Sequence, residues 1–435
     1  MTSEVTTPTS ASARVGPRTW TALVVLGLVG QLAWTVENMY LNVFVYDTIT
    51  DDPTVLAGMV AASAIVATVT TLLVGSFSDR VGNRRGFIAV GYVLWGLSTA
   101  AFGFVTVDGV EGAAAAGSAV TAAVVAVVLL DCLMTLFGSG ANDAAFNAWV
   151  TDTTVPANRG RVDSVLAIMP LLAMLLVFGA LDPLTQDGRW RVFFGVVGLI
   201  TALIGVYAWF AVRDAPTRQV QSDGYLRAVL HGLRPAVVRA SPQLYALLLV
   251  WVVVATCIQV FLPYLIIYIQ RYLQIDGYAI VLAVVLTVAS VLSVLGGRVM
   301  DRVGKLRFLP WAVGVLAAGL VLMFFARGMA GVILAGIVMM AGFLLSVATI
   351  SALVRDETPE GRAGNVQGLR MIAAVLVPMV VGPFLGAAVI RGADETYVDL
   401  GLVKQVPTPW IFLAAAAVLV LVVPAVRLVR KHAVR

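Results

Sequence analysis

Twelve long apolar runs constrain what this chain can fold into more than any other feature of its sequence. A helix rises 1.5 Å per residue, so roughly 20 apolar residues cross a hydrocarbon core of about 30 Å. Lipid offers the backbone no hydrogen-bond partner, so a crossing segment must be a helix or part of a closed barrel. Because the runs are continuous and do not alternate between apolar and polar residues, they predict helices.

The composition agrees with a chain that lies mostly in lipid. Hydrophobic residues make up 60% of the chain and charged residues 12%, against roughly 45–50% and about 25% in soluble domains. We predict an all-α membrane protein whose approximate spans are 19–46, 55–78, 87–107, 117–150, 162–181, 191–212, 242–270, 277–300, 308–326, 329–354, 365–390 and 409–429.

The charged residues alternate between the two sides of the predicted membrane. Arginine and lysine concentrate in the connections after the even-numbered spans and in the tail, whereas acidic residues dominate the other connections. Because positive charge marks the cytoplasmic side, this pattern predicts a multi-pass protein of the inner (plasma) membrane with both termini in the cytoplasm. The net charge of +5 is then a topology signal, which argues against nucleic-acid binding.

The longest polar connection lies at the middle of the chain and divides the spans into six and six. This organisation predicts four regions. They are a disordered cytoplasmic tail at 1–18, a first six-helix bundle at 19–212, a cytoplasmic central loop at 213–241 and a second six-helix bundle at 242–430.

The sequence offers little material for catalysis or for metal binding. Both cysteines, Cys132 and Cys257, fall inside apolar spans, and both histidines, His231 and His432, fall in polar segments. The phosphate-binding pattern GxxxxGK[ST] does not occur in the sequence. We expect no enzymatic activity, no metal site and no cofactor beyond a coupling ion, which would be a proton or sodium.

A short polar segment occurs once in each half of the chain. Gly75-Ser-Phe-Ser-Asp-Arg-Val-Gly-Asn-Arg-Arg85 returns as Gly297-Arg-Val-Met-Asp-Arg-Val-Gly-Lys-Leu-Arg307, and each copy lies between two apolar runs. A second pair supports this repeat, because Asp152–Gly160 parallels Arg355–Arg362. The repeat predicts two pseudo-equivalent helical bundles that share a central cavity.

The two copies of the polar segment resemble the loop signature of the major facilitator superfamily. In that family the strong copy lies between the second and third helices, and a weaker copy lies between the eighth and ninth. The resemblance covers residues from about 19 to 430. It implies twelve transmembrane helices in two pseudo-symmetric six-helix bundles, with one central site that is reached alternately from each side.

A narrower resemblance is to uncharacterised relatives of the glycoside–pentoside–hexuronide cation symporters. It rests on the stretches Glu37–Asp47 and Gln259–Tyr268. Sodium-coupled melibiose carriers of that group place acidic residues in the second helix, whereas Met59–Thr68 contains none. This departure argues against sodium coupling by that route.

The family resemblance implies a latch between the two halves on the cytoplasmic side. Gly75 would allow another helix to approach closely, and Asp79 would accept hydrogen bonds at the start of the eleventh span near 364–367. Arg84 and Arg85 would pair with Asp143 or Asp152. The alternative is that these charges only set the topology. The predicted latch residues are Gly75, Asp79, Arg80, Gly82, Arg84, Arg85, Asp152, Asp301, Arg302 and Arg307.

Three carboxyl groups fall inside predicted spans, and these are the candidates for ion coupling: Glu37, Asp131 and Asp143. A charge at the bilayer centre costs roughly 2.5–3.5 kcal/mol on insertion scales, so each should face protein or water. For Glu37 and Asp131 the alternative is a structural hydrogen bond between helices. For Asp143 we favour the alternative that it is a latch partner of Arg84.

Aromatic and amide side chains near these acids suit sugar binding, because rings stack on apolar faces and amides bind hydroxyl groups. Applying the offset between the repeats (301 − 79 = 222) pairs Glu37 with Gln259 across the cavity. Simple packing is the alternative for each residue. The substrate-binding candidates are Trp34, Asn38, Asn42, Thr135, Asn142, Gln259, Tyr264 and Tyr268. Gly382–Gly386 should allow close helix packing, and Arg370 should extend toward the cytoplasmic surface.

Together these features predict a secondary carrier driven by the proton gradient through Glu37 or Asp131. The favoured substrate is a small polar organic solute, with sugars or glycosides first and uptake as the direction. The alternative is a proton-coupled exporter of drug-like or amphipathic compounds, and a transporter-shaped sensor is a third interpretation. The expected partners are membrane lipid and a small-molecule substrate, with the chain working as a monomer.

Overall fold

The computed structural model describes residues 15–106, 116–154, 156–214, 234–358, 363–399 and 402–433. Within these residues, twelve helices are long and apolar enough to cross a membrane, which confirms the predicted fold class. They are α1 (Pro17–Thr48), α2 (Pro53–Gly75), α3 (Arg84–Phe104), α4 (Ala119–Thr153), α5 (Arg161–Gln186), α6 (Trp190–Ala211), α7 (Pro242–Tyr272), α8 (Tyr278–Val303), α9 (Lys305–Phe325), α10 (Gly328–Asp356), α11 (Gly368–Ala393) and α12 (Trp410–Arg430).

The polar segment of the first repeat forms the end of a helix. The helix of α2 continues past the span to Val81, and Gly82 ends it with a φ of 69°. In the second repeat Gly304 stands at the same place with a φ of 92°. Because a residue without a Cβ adopts positive φ at little cost, both glycines allow the chain to turn directly into the next helix.

Two further elements lie between the spans. A short helix, Pro235–Ala240, precedes α7. Strands β1 (Thr396–Asp399) and β2 (Leu402–Gln405) form an antiparallel hairpin between α11 and α12, with Thr396 opposite Gln405. The hairpin was not predicted from the sequence, which had suggested only an acidic connection there.

Five of the long helices contain a π-helical segment, in which one extra residue is inserted per turn. These segments are Val36–Tyr40, Ser139–Phe146, Val177–Leu181, Tyr268–Tyr272 and Ile372–Leu376. Such bulges change the direction of the following side chains and occur frequently at functional sites. The first segment contains Glu37 and the second contains Asp143, so two predicted coupling residues lie at irregular turns.

Helices within each half pack closely through glycine. A Cβ built on Gly96 of α3 would lie 2.3 Å from the carbonyl oxygen of Gly198 in α6. In the second half, a Cβ on Gly319 of α9 would lie 2.3 Å from the backbone of Met339 in α10. The absence of a side chain on Gly96 and Gly319 lets the backbones of each helix pair come into contact. Close packing through small residues is common between lipid-embedded helices.

The two ends of the bundle are distinguished by the direction of the helices. We call the side at which α1 begins and α12 ends the terminal side, and the opposite side the far side. The helix of α2 runs from the far side to the terminal side, so its polar segment and that of α8 both lie on the terminal side. The predicted tail and central loop fall mostly on 1–14 and 215–233, which lie outside the described residues.

Candidate functional site

A cavity of about 870 Å³ lies between the two halves and is lined by α1, α2, α4, α5 and α11. Its α4 lining runs from Thr135 to Thr151, and its α2 lining runs from Ser63 to Gly75. Both stretches extend from the middle of a helix toward the terminal side. The cavity therefore reaches from the middle of the helices to the terminal side of the protein.

Glu37 stands at the inner part of this cavity, on the π-helical turn of α1. Its side chain is buried, with only 8% of the residue exposed. One carboxyl oxygen, Oε1, accepts a hydrogen bond of 2.8 Å from the hydroxyl of Thr135 in α4. The other oxygen, Oε2, has no hydrogen-bond partner among the described residues. The hydrogen bond to Thr135 thus holds the Glu37 side chain at the cavity.

The other two predicted coupling residues belong to the same cluster. Asp131 is 2% exposed and lies behind Glu37, next to Ser63 of α2. Asp143 lines the cavity and accepts a 3.1 Å hydrogen bond from the side chain of Asn142. Both carboxyl groups are close enough to Glu37 to act on it electrostatically. Among the described residues, no group of three or more His, Cys, Asp or Glu could hold a metal ion.

The predicted substrate-binding residues separate into two groups. Trp34, Asn38 and Thr135 line the cavity, together with Gln31 and Asn147, which the sequence analysis did not select. All of these polar groups come from the first half of the chain. Gln31 shares a helix face with Asn38, so its position on the polar stripe of α1 was the signal that could have identified it.

Two of the predicted residues on the first half are used inside the protein instead. Asn142 accepts a 2.9 Å hydrogen bond from the hydroxyl of Tyr92, and it lies so close to Gly30 that a Cβ there would meet it at 2.5 Å. Asn42 is 1% exposed and donates to the backbone oxygen of Asn38 at 3.1 Å. Neither lies in the described lining of the cavity, so their role as substrate ligands stays a prediction.

The aromatic residues of α7 also lie away from the cavity. The hydroxyl of Tyr264 is within hydrogen-bond distance of the backbone oxygens of Pro53 (3.0 Å) and Pro383 (2.9 Å). The ring of Tyr268 packs against Tyr272 and Phe412, with centroid distances of 5.4 and 5.1 Å. In this conformation both tyrosines join helices together and neither is among the described lining of the two cavities, so their role as substrate ligands stays a prediction.

Gln259, the predicted counterpart of Glu37, lines a second cavity of about 430 Å³. This cavity lies between α5 of the first half and α7, α8 and α10 of the second half, and its lining is almost entirely apolar. Ala167 of α5 lines both cavities, so the two are neighbours. As the repeat offset predicted, Gln259 lies at the boundary between the halves. It lines the apolar cavity, however, and is not among the described lining of the cavity that contains Glu37.

The far side is closed by polar contacts between the two halves. Arg271 of α7 pairs with Asp47 at 2.8 Å, and Arg391 of α11 pairs with Asp52 at 2.8 Å. The hairpin contributes through Gln405, whose backbone nitrogen donates to Asp51 at 2.7 Å and whose oxygen accepts from Tyr46 at 2.5 Å. The structure is thus open on the terminal side and closed on the far side.

A buried carboxylate strengthens this closure. Asp182, near the end of α5, is 2% exposed and accepts hydrogen bonds from Tyr40 at 2.8 Å and from Gln186 at 2.5 Å. It also accepts from Tyr278 at the start of α8, which belongs to the second half. The predicted spans 162–181 and 191–212 leave Asp182 in a connection between helices, because nothing in its local sequence indicates burial. A partner 96 residues away creates this site.

The family follows from comparison with known proteins. The model of the Major Facilitator Superfamily matches residues 23–383 and, in a second match, residues 279–435. The chain belongs to the Major Facilitator Superfamily. No curated protein sequence is significantly similar to the chain.

Solved structures show the same fold at low identity. A mutant of the nucleoside transporter NupG superposes with a TM-score of 0.72 at 12% identity, covering 94% of this chain and 99% of that one. A D-xylose-proton symporter gives 0.66 at 14%, covering 94% and 97%. A bacterial homolog of the human lysosomal transporter Spinster, in an inward-facing conformation, gives 0.66 at 15%, covering 96% and 97%.

The superfamily signature makes an equivalent ion pair in each half. In the first, Arg84 is 5% exposed and pairs with Asp152 at 3.2 Å, while it also donates to Ser78 at 2.6 Å. In the second, Lys305 pairs with Asp356 at 2.6 Å. Each pair joins the polar segment of its half to the end of the fourth helix of that half. The sequence leaves both Asp143 and Asp152 open as partners of Arg84 and favours Asp143 in that role, whereas the ion pair in the structure is with Asp152.

Among the other signature residues, Arg85 differs from the prediction, and the latch role of the rest stays a prediction. The guanidinium of Arg85 lies 4.2 Å above the ring of Trp209 in α6, instead of pairing with a carboxylate of α4. A Cβ on Gly75 would find its nearest described neighbour, in α4, at 4.0 Å, so the described residues leave space beside Gly75 in this conformation. Arg80, Asp301, Arg302 and Arg307 are exposed. The side chain of Asp79 and the residues 359–362 lie outside the described part of the chain.

Two predictions for α11 had different outcomes. Close packing at Gly382–Gly386 is confirmed, because a Cβ on Gly386 would lie 2.0 Å from the backbone oxygen of Val260 in α7. Arg370 is half-buried instead of extending fully to the surface as predicted. Its guanidinium lies 5.0 Å from the ring centre of Trp251 and donates to Ser351 at 3.4 Å, so it packs inside the second half.

Proposed function

We propose that the chain is a proton-coupled secondary transporter that moves a small organic solute by alternating access. The observation that carries this proposal is the central cavity, which is open on one side only and holds the buried carboxyl group of Glu37. A carrier of this kind exposes one site to each side of the membrane in turn. The present conformation is one of the two states that such a cycle requires.

The second state would close the terminal side and open the far side. The inter-half contacts of Asp47, Asp52 and Asp182 would have to break for this to happen. The space beside Gly75 would then be filled by the approaching helix, and the signature loop would latch the terminal side. The Arg84–Asp152 pair lies within one half, so it holds the loop in shape during both states.

Proton coupling is proposed to run through Glu37, with Asp131 as the second group. Glu37 reaches the cavity, whereas Asp131 is buried behind it, so a proton arriving from the cavity meets Glu37 first. Charged groups at this depth mark ion pathways in membrane proteins. Sodium is the less favoured ion, because the α2 face of the cavity offers Ser63 and Thr71 but no carboxylate.

The distribution of charge gives the proposed orientation. The signature loops with Arg84 and Lys305 lie on the terminal side, so we assign that side to the cytoplasm of a plasma membrane. The central cavity would then face inward. Because the cavity lies between the halves of a single chain, we propose that a monomer is sufficient for transport.

Two substrate classes have support. For a sugar or glycoside, the indole of Trp34 and the amides of Gln31 and Asn38 provide a stacking surface and hydrogen-bonding groups on the cavity. For export of drug-like or amphipathic compounds, the support is the charge of the lining. It includes Glu37, Asp143 and Asp163, and no lysine, arginine or histidine among the described lining residues.

The carrier function is tested with purified protein in proteoliposomes and an imposed pH gradient. Neutral solutes such as D-xylose and uridine are compared with the organic cation tetraphenylphosphonium, and pH-driven accumulation of at least one of them is expected. Glu37→Gln should abolish accumulation while solute exchange at equal pH continues, because the variant keeps the shape of the side chain but no longer exchanges a proton. Accumulation by Glu37→Gln at the wild-type level would exclude Glu37 as the proton carrier.

A further inference from the structure

We infer that the transported solute is an amphipathic organic cation. Its positive group would bind in the central cavity between Glu37 and Asp143, and its apolar part would bind in the neighbouring apolar cavity that Gln259 lines. This inference rests on the proposed carrier function and specifies the substrate of the same site.

The central cavity is electrostatically selective. Three carboxyl side chains line it and, among its described lining residues, no basic side chain balances them. Glu37 in particular is more than nine-tenths buried, and its Oε2 atom has no described partner. A cationic group would satisfy this oxygen, whereas an anionic solute would be repelled. The indole of Trp34, also on the cavity, adds a favourable surface for a cation.

The neighbouring cavity has the opposite character. Five methionines line it, and its only polar lining side chains in the described chain are Gln259 and Ser290. Methionine side chains are flexible and polarizable, so they adapt to apolar groups of different shapes. A sugar placed here would leave most of its hydroxyl groups without partners, which is costly. The five methionines are Met39, Met174, Met323, Met339 and Met340.

One molecule would be able to occupy both cavities. Glu37 and Met39 are two residues apart on α1, and one lines each cavity. Ala167 of α5 lines both, so the two cavities adjoin at this residue. A solute with a charged group and an aryl or alkyl part therefore matches both cavities, the acidic one and the apolar one. A sugar or a purely apolar molecule matches only one of them.

The same geometry links the cation to the proton. A protonated Glu37 cannot form an ion pair, so binding of the cation releases the proton from the carboxyl group to the water of the cavity. Proton and solute would then compete for one group, and the carrier would exchange them rather than carry them together.

The test is equilibrium binding of three probes to the purified full-length protein in detergent. Tetraphenylphosphonium carries charge and aryl groups, triphenylphosphine oxide carries aryl groups without charge, and tetramethylammonium carries charge without aryl groups. We expect tetraphenylphosphonium to bind at least roughly tenfold more tightly than either of the others, because only this probe uses both cavities.

Variants separate the two contributions. Glu37→Gln and Asp143→Asn should each weaken tetraphenylphosphonium binding by roughly 30-fold, since each removes a carboxyl group that would pair with the cation in the cavity. Met340→Gln should weaken it by roughly tenfold without affecting tetramethylammonium. The matched controls are Asp187→Asn and Met329→Gln, because both side chains are exposed and lie outside the two cavities.

The outcomes distinguish this inference from the carrier function. If tetraphenylphosphonium does not bind, or binds equally well to Glu37→Gln and Asp143→Asn, the inferred substrate class is overturned. If D-xylose is accumulated under a pH gradient while tetraphenylphosphonium does not bind, the carrier function stands and only the substrate class is wrong. Binding with the expected pattern but without transport of any probe would support the site and count against the carrier function.

Discussion

The buried contact between Tyr278 and Asp182 should be a main determinant of which side of the protein is open. It joins α8 of the second half to α5 of the first, on the side that is closed. Replacing Tyr278 by phenylalanine removes one hydroxyl and keeps the ring. We expect this change to shift the protein from the terminal-open conformation toward the far-open one.

The size of the shift follows from the burial of the two groups. Tyr278 is 1% exposed and Asp182 is 2% exposed, so water does not replace the lost hydrogen bond. A hydrogen bond to a charged group contributes about 1.5–3 kcal/mol. Asp182 retains Tyr40 and Gln186 as donors, so the variant should fold. The ratio of the two conformations should therefore change by a factor of roughly 10 to 150.

The measurement is the distance between two spin labels by pulsed electron resonance. Asp187 in the first half and Asp276 in the second half are both exposed on the far side, so each can be replaced by a labelled cysteine. Cys132 and Cys257 are first replaced by alanine. In the protein with Tyr278 the labels should give one short distance, and in Tyr278→Phe a second, longer distance should appear.

An exposed ion pair provides the comparison. Arg391 and Asp52, which also join the halves, have side chains that are 52% and 38% exposed. Such pairs contribute about 0–1 kcal/mol, so Arg391→Ala should change the distances less than Tyr278→Phe does. If Arg391→Ala produces the longer distance and Tyr278→Phe does not, the closure depends on the exposed ion pairs and the reasoning is refuted.

Two further predictions concern stability and use thermal unfolding in detergent. Gly386→Ala should destabilise the fold by about 1–3 kcal/mol, since the added methyl group would overlap a backbone oxygen of α7. The control is Gly392→Ala on the same helix, where the added methyl group meets nothing within 4 Å. Equal melting temperatures for the two variants would contradict the close packing at Gly386. Asp152→Asn should lower the free energy of unfolding by about 1.5–3 kcal/mol, because its partner Arg84 is buried. Asp356→Asn in the second half should lower it by less than about 1 kcal/mol, because the Lys305–Asp356 pair is exposed. A larger loss for Asp356→Asn would show that burial does not set the strength of these pairs.

Much of the candidate site on α1 and α4 could be predicted from sequence. Glu37, Asp131 and Asp143 stand out because acids are rare inside apolar runs, and the structure brings all three together. Trp34 and Asn38 follow from the polar stripe of α1, and both line the cavity. These inferences succeeded in placing the side chains because each depends on the composition of a single helix.

The candidates on α7 were placed less well. Tyr264 and Tyr268 lie on the same long helix as Gln259. A short 3₁₀ segment, Leu262–Tyr264, interrupts the α-helix after Gln259. Helical spacing therefore does not give the direction of the tyrosine side chains. Their rings turn into the packing between helices, while Gln259 alone reaches a cavity.

The sequence by itself determined that the chain crosses the membrane twelve times and that its two halves carry matching polar segments, because apolar length and repeated motifs are local properties of a chain. Only the tertiary structure decided that Asp182 is buried, that the hairpin caps the far side and that the cavity opens on the terminal side. These features depend on the rotation of each helix about its axis and on the contacts between the two halves. Both are set by packing between residues that are far apart in the sequence.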